Sequence, residues 1–272
     1  MTFEFIPGYF QLLKNLYAIH SPSGNEQQMV DFILNYLRQT YEEDLAFFGE
    51  TSAVEVEVDE MNNILITKGK AETYPCLVAH LDQVQTYYPD DLQVIVSANN
   101  GRIYGYSEGE QRHIGLGADD KNGIFVALRM LREHNNLKVA FFTQEETDCL
   151  GSAAVDLSFF DDVQYIVQCD RKSNNEAADE IVTEIHGMPI ASEAFVDKLD
   201  SVLSWSEFID GGSTDVLMLT KRGVGKSCIN VASGYYNPHT DEEYTDLKDL
   251  ENCLETVDTI LSFVREVYPH TL

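Results

Sequence analysis

Three short, continuously apolar runs constrain this chain more than any other feature. They are PCLVAHLD (Pro75 to Asp82), LKVAFFTQEE (Leu137 to Glu146) and YIVQCD (Tyr165 to Asp170). Apolar runs of this length without alternation mark strands buried on both faces, as in a parallel sheet covered by helices. A helical pattern, NGIFVALRMLREH (Asn122 to His134), lies between the first two, and the spacing predicts a long amphipathic helix from Asp246 to Val267. Strands alternating with helices predict a three-layer α/β/α fold around a mostly parallel, mixed central sheet. Ligands of such sheets bind at the carboxyl ends of the strands. All three runs end in residues able to ligate a metal: His80 with Asp82, Glu145 with Glu146, and Asp170.

The rest of the chain fits around that frame. A helical pattern covers Tyr9 to Ile19, breaks at SPSGN, and resumes as an amphipathic helix from about Glu26 to Tyr41, with Ser23 or Asn25 as its cap. The alternating stretch AVEVEVDE (Ala53 to Glu60) and the run NNILITKG (Asn62 to Gly69) predict a hairpin. The segment Gln83 to His113 is rich in turn residues and reads as a surface excursion carrying a hairpin. With 272 residues and 44% hydrophobic content, a single domain over 1–272 is expected.

A formal net charge of −28 argues against partners recognised through phosphate, so neither nucleic acid nor an anionic membrane surface is expected. The opening MTFEFIPGYFQLLKNLYAIH lacks a basic region leading into an apolar run, and no stretch reaches the roughly 18 apolar residues of a membrane span. A cytoplasmic protein is expected. Cys76, Cys149, Cys169, Cys228 and Cys253 form no CxxC pair and sit in apolar surroundings, which fits reduced, buried thiols.

The chemistry-bearing residues cluster in five places. His80 and Asp82 stand two apart at a strand end, where the carboxylate can orient the imidazole. GLGADDKNG sets Asp119 and Asp120 among glycines, immediately before a helix. Glu145 and Glu146 close a wholly apolar run, where two like charges are costly unless a cation or a proton separates them. Adjacent side chains diverge, so one of them can ligate while the other faces a bound water. Asp170 and His239, the latter in YYNPHTDEEY, complete a set of imidazole and carboxylate donors suited to zinc, cobalt or manganese. No GxSxG elbow or phosphate-binding loop competes.

In order along the chain, HLD, GADDKNG, QEE, CDR and NPHTD resemble the motifs of the co-catalytic zinc exopeptidases, the clan that includes peptidase T and the bacterial leucyl aminopeptidases. The resemblance covers nearly the whole chain. It implies two metal ions: Asp119 bridges them, His80 and Asp170 complete one site, and Glu146 and His239 complete the other. It also implies that Glu145 is the general base, that Asp82 orients His80, and that the Asp119–Asp120 peptide is cis. A hydroxide shared by both metals would be the nucleophile. Thr214 and Asp215 in GGSTDVLML are candidate substrate contacts, Asp215 for an amino group, with a helix cap as the alternative. The clan's dimeric carboxypeptidase-like branch inserts a lid domain after the position of Asp170. Only Arg171 to Tyr236 is available for one here, so a compact form without a lid or dimerisation domain is expected. The implied activity is that of an aminopeptidase acting on a peptide or aminoacyl substrate. A dipeptidase or an N-acyl-amino-acid amidohydrolase on the same site stays open, with a non-hydrolytic or cyclase relative less favoured. The oligomeric state stays undetermined.

Overall fold

The computed structural model describes residues 7–41, 45–47, 53–174, 179–203 and 206–272. Met1 to Ile6, part of the opening segment read above, lies outside the described residues. In chain order the elements begin with α1 (Pro7–Tyr17), α2 (Gln27–Tyr41), β1 (Leu45–Phe47), β2 (Val54–Val58), β3 (Ile64–Lys68) and β4 (Tyr74–His80). Next come β5 (Leu92–Val96), β6 (Arg102–Ser107), β7 (Arg112–Ile114), α3 (Ala118–Glu133), β8 (Leu137–Phe142), α4 (Leu150–Ala154) and β9 (Val163–Arg171). The remainder is β10 (Asp179–Ile185), β11 (Met188–Pro189), α5 (Glu193–Val202), β12 (Ser206–Gly211), α6 (Asp215–Lys221), β13 (Cys228–Ala232), β14 (Tyr235–Tyr236), β15 (Tyr244–Asp246) and α7 (Leu247–Phe263).

The central sheet runs β1-β2-β3-β8-β4-β9-β13-β10-β11, with β12 paired to β10. Its middle is parallel: β4 pairs with β8 and β9, and β9 with β13. The flanking β2–β3 hairpin and β10 join antiparallel. Alternate side chains of the middle strands enter opposite cores, as the two-residue period of a strand requires. Leu77 and Ala79 of β4, with Val139 and Phe141 of β8, pack beneath α1, α2, α3 and α7. Cys76 and Val78, with Ala140 and Phe142, pack beneath α6 on the other face. This double burial is why β4 and β8 read as unbroken apolar runs. The three-layer α/β/α architecture with a mixed sheet stands as expected.

Several boundaries differ from expectation. The last helix stops at Phe263, where Val264 turns extended and donates its N–H to Ile260 O. The excursion after β4 carries the β5–β6 hairpin, but β7, β14 and β15 extend it into a second five-stranded sheet. Those added strands are two or three residues long, too short for a periodic signal. Neither Ser23 nor Asn25 supplies a side-chain cap to α2. The Ser23 hydroxyl donates to Asp82 instead, while the Glu26 carboxylate accepts the N–H groups of Gly24 and Gln144. All five cysteines are free and buried.

Candidate metal centre

The site forms at the C-terminal edge of β4, β8 and β9, closed by the start of α3 and by the loop between β14 and β15. His80 is the last residue of β4 and Asp170 the penultimate residue of β9. Glu145 and Glu146 do not end β8 itself, because that strand stops at Phe142. Gln144 then takes a left-handed φ of 55°, which turns the chain so that both acids face the site. Asp119 is fixed by its setting. Gly117 at the N-cap of α3 has φ 64°. The Asp119–Asp120 peptide is cis. Asp120 is not a donor to the site: its carboxylate accepts the N–H groups of His80 and Gly123. A side chain at position 123 would place Cβ 2.3 Å from Asp120 Oδ1, which explains the glycine there.

Three trios of candidate ligands result among the described residues: His80, Glu145 and Glu146 form one, and the other two share Asp119. In one, His80 Nε2 lies 3.1 Å from Asp119 Oδ1 and 3.7 Å from Asp170 Oδ1. In the other, His239 Nε2 lies 3.2 Å from Asp119 Oδ2 and 2.9 Å from Glu146 Oε1. Glu145 stands beside them, with Oε2 4.0 Å from His80 Nε2. The ligand atoms of each trio lie within 4.8 Å of one another, close enough to converge on one ion. Glu146 Oε1 is buried and, despite its nearness to His239, accepts no aligned hydrogen bond. That geometry suits two groups aimed at a common cation rather than at each other. Nitrogen and carboxylate donors without thiolate fit zinc or a similar divalent ion.

The protonation of these groups reports the same crowding. Burial pushes Glu145 up to about 9, with Asp170, Asp215 and Glu146 adding repulsion. Burial and the neighbouring Asp119 raise Asp170 to about 7. Burial opposes a charge on His80, yet Asp119, Asp170 and Asp82 together hold its pKa well above the ordinary value. The adjacent carboxylates of Asp119 and Glu146 raise His239 to about 10. Carboxylates this crowded call for positive charge between them.

Surrounding residues hold the donors in place. His80 Nδ1 lies 3.0 Å from the backbone carbonyl of Asp82 and 3.4 Å from its carboxylate, so the carbonyl is the nearer partner and Nε2 faces the site. The Asp82 carboxylate accepts the N–H groups of Glu145 and Glu146 and the Ser23 hydroxyl. Asp170 accepts from Thr214 Oγ1 at 2.6 Å and from the Tyr235 hydroxyl, and Asn230 bonds both its N–H and its carbonyl. Thr214 and Asp215 are both buried beside the cluster. Thr214 is 3% exposed and engaged with Asp170, while Asp215 has no exposed surface and accepts from Ser152. The sequence reading passed over Asn230, Tyr235 and Glu243 and took Ser23 only as a helix cap; their partners lie 59 to 125 residues away and leave no local pattern.

A mixed α/β sheet flanked by helices thus carries an imidazole–carboxylate cluster at its C-terminal edge. Comparison with known proteins agrees on the fold. The aminopeptidase PepT from Bacillus cereus superposes with a TM-score of 0.70 at 14% identity, over 94% of this chain and 98% of that one. An aminopeptidase from the archaeon Desulfurococcus kamchatkensis superposes at 0.69 with 15% identity, over 97% and 96%. No family model matches the chain. Among curated proteins, a putative LysW-lysine/LysW-ornithine hydrolase of Pyrobaculum aerophilum is 26% identical over 148 residues, which is 53% of this chain. That match spans 36% of the relative's length.

Proposed function

We propose that this chain is a dinuclear metal-dependent exopeptidase, in first place an aminopeptidase, that hydrolyses an amide bond with Glu145 as general base. The observation that carries the reading is the pair of ligand trios sharing Asp119, with Glu145 beside both. The names of the similarly folded aminopeptidases point the same way. His80 and Asp170 would hold one ion and Glu146 and His239 the other, zinc first, with cobalt or manganese as the alternatives. The described part of Arg171 to Tyr236 is built into β10 to β13, α5 and α6, which supports one catalytic domain over 1–272 without an inserted lid. Free, buried thiols support a reducing compartment, and we assign the protein to the cytoplasm on that ground.

Bound divalent cations would polarise the scissile carbonyl and acidify an adjacent water. Glu145 is held for proton transfer by the bond from its own N–H to Asp82 Oδ1, and Cys149 Sγ stands 3.6 Å from its Oε1. Beside bound cations the ionised Glu145 carboxylate would accept a proton from the water and pass it to the leaving amine. Asp82 keeps the Glu145–Glu146 turn and the His80 ring in register.

Elemental analysis of the purified protein, paired with hydrolysis of an aminoacyl-amide library before and after chelation, tests the reading. Two metal equivalents and chelator-sensitive release of N-terminal residues are expected. No metal after reconstitution would overturn it. A second substrate reading rests on the curated relative, which is named for hydrolysing a lysine or ornithine conjugate. Dipeptides and N-acylated or conjugated amino acids therefore belong in the panel, because a free amino terminus is required only of an aminopeptidase substrate.

A further inference from the structure

Glu243 is a buried carboxylate, 1% exposed, that the proposed chemistry does not use. Its Oε2 accepts the N–H of Ala118 at 3.0 Å and its Oε1 the N–H of Asp119 at 3.3 Å. These are among the first N–H groups of α3, which lack partners within the helix. Gly117, the residue at the cap position, has no side chain to offer them.

The same carboxylate lies four residues beyond His239, on the loop between β14 and β15. That loop is otherwise tied to β7 by Arg112 with Asp241 and His113 with Glu242, both exposed ion pairs of a kind that contributes little. Glu243 is thus the buried attachment joining the His239 loop to the peptide that carries Asp119. The other face of Asp119 is fixed without it: Oδ1 meets His80 Nε2, and Asp120 accepts the His80 N–H. His239 has no comparable support, since its side chain is 49% exposed and its φ is 64°.

We infer that Glu243 is a positioning residue that sets the spacing of Asp119 and His239, and so governs cation binding by the Asp119–Glu146–His239 trio while leaving the His80–Asp119–Asp170 trio nearly unaffected. The inference rests on the two-cation reading above. Calorimetric titration of the metal-free full chain with zinc tests it, alongside thermal unfolding of the metal-free protein. Wild type is expected to bind two equivalents. Glu243→Ala should keep one binding event within about threefold and weaken the other at least tenfold. Glu243→Gln, which retains one acceptor oxygen for the two N–H groups, should fall between them. His239→Ala should weaken the same event as Glu243→Ala.

If Glu243→Ala does not fold, Glu243→Gln and His239→Ala carry the comparison. Two unchanged events in folded Glu243 variants would overturn the inference alone. Equal weakening of both events together with a lower unfolding temperature would reduce Glu243 to a structural cap and overturn it as well. A wild-type chain that binds no zinc would overturn the two-cation reading and this inference with it.

Discussion

Replacing Asp82 by Asn tests how the site is held together. The carboxylate accepts Glu145 N–H at 2.9 Å on Oδ1 and Glu146 N–H at 3.2 Å on Oδ2, with the Ser23 hydroxyl at 2.6 Å on Oδ2. Asparagine keeps the shape but turns one oxygen into a donor. The Ser23 hydroxyl can rotate to accept, whereas a backbone N–H cannot. Either Glu145 or Glu146 is then left with a buried N–H facing another donor, a loss of about 1–3 kcal/mol. The surviving bond loses its charge assistance, about 1 kcal/mol more. Asp82→Asn should therefore destabilise the metal-free protein by about 2–4 kcal/mol, read from urea unfolding at pH 7 with an unchanged slope. Burial works against the charge on Asp82, but His80, Ser23 and the Glu145 N–H outweigh it and hold the carboxyl below its ordinary range. Its contribution is present above the unfolded-state pKa and is lost as pH falls through the folded value, so the two proteins should converge in acid. A difference below about 1 kcal/mol at pH 7, or one that does not shrink in acid, would refute the account of Asp82 as the hub of the turn.

Other outcomes follow from the same geometry. Glu145→Gln should abolish turnover while leaving metal content unchanged, and substantial surviving activity would remove Glu145 from its assigned role. Gly123→Ala places Cβ against Asp120 Oδ1 and should cost about 1–3 kcal/mol by displacing the carboxylate that accepts the His80 N–H, measured by chemical denaturation. Thr214→Val removes the 2.6 Å donor to Asp170, whose proton affinity burial already raises, and should lower zinc affinity near pH 7 about tenfold by calorimetry. In the metal-free protein His239 should titrate near 10 by NMR. Because that folded value is raised, its stabilisation is complete below the unfolded pKa of about 6.5 and disappears as pH rises through about 10.

Most of the central sheet was legible because β4, β8 and β9 bury both faces, and that burial writes itself into the sequence as unbroken apolar runs. The candidate donors were legible because they follow those runs. What escaped was everything set by distant pairing. The strands β7, β14 and β15 owe their existence to a partner sheet rather than to their own two or three residues. Ser23 reads as part of a turn until Asp82 is placed beside it, and Glu243 reads as one acid in DEEY until the start of α3 arrives. Asp215 was singled out by the resemblance of GGSTDVLML to a motif of the clan; its bond with Ser152 depends on how α4 packs on α6 and leaves no local pattern.

The scatter of the donors along the chain also bears on biosynthesis. Among the candidate metal donors His80 emerges first and His239 last, on the loop between β14 and β15. At the usual elongation rate of about 5–20 residues per second, roughly 8–30 s separate them. The donor set is therefore incomplete until the loop between β14 and β15 has been made, long after β4 and β8 could begin to pair.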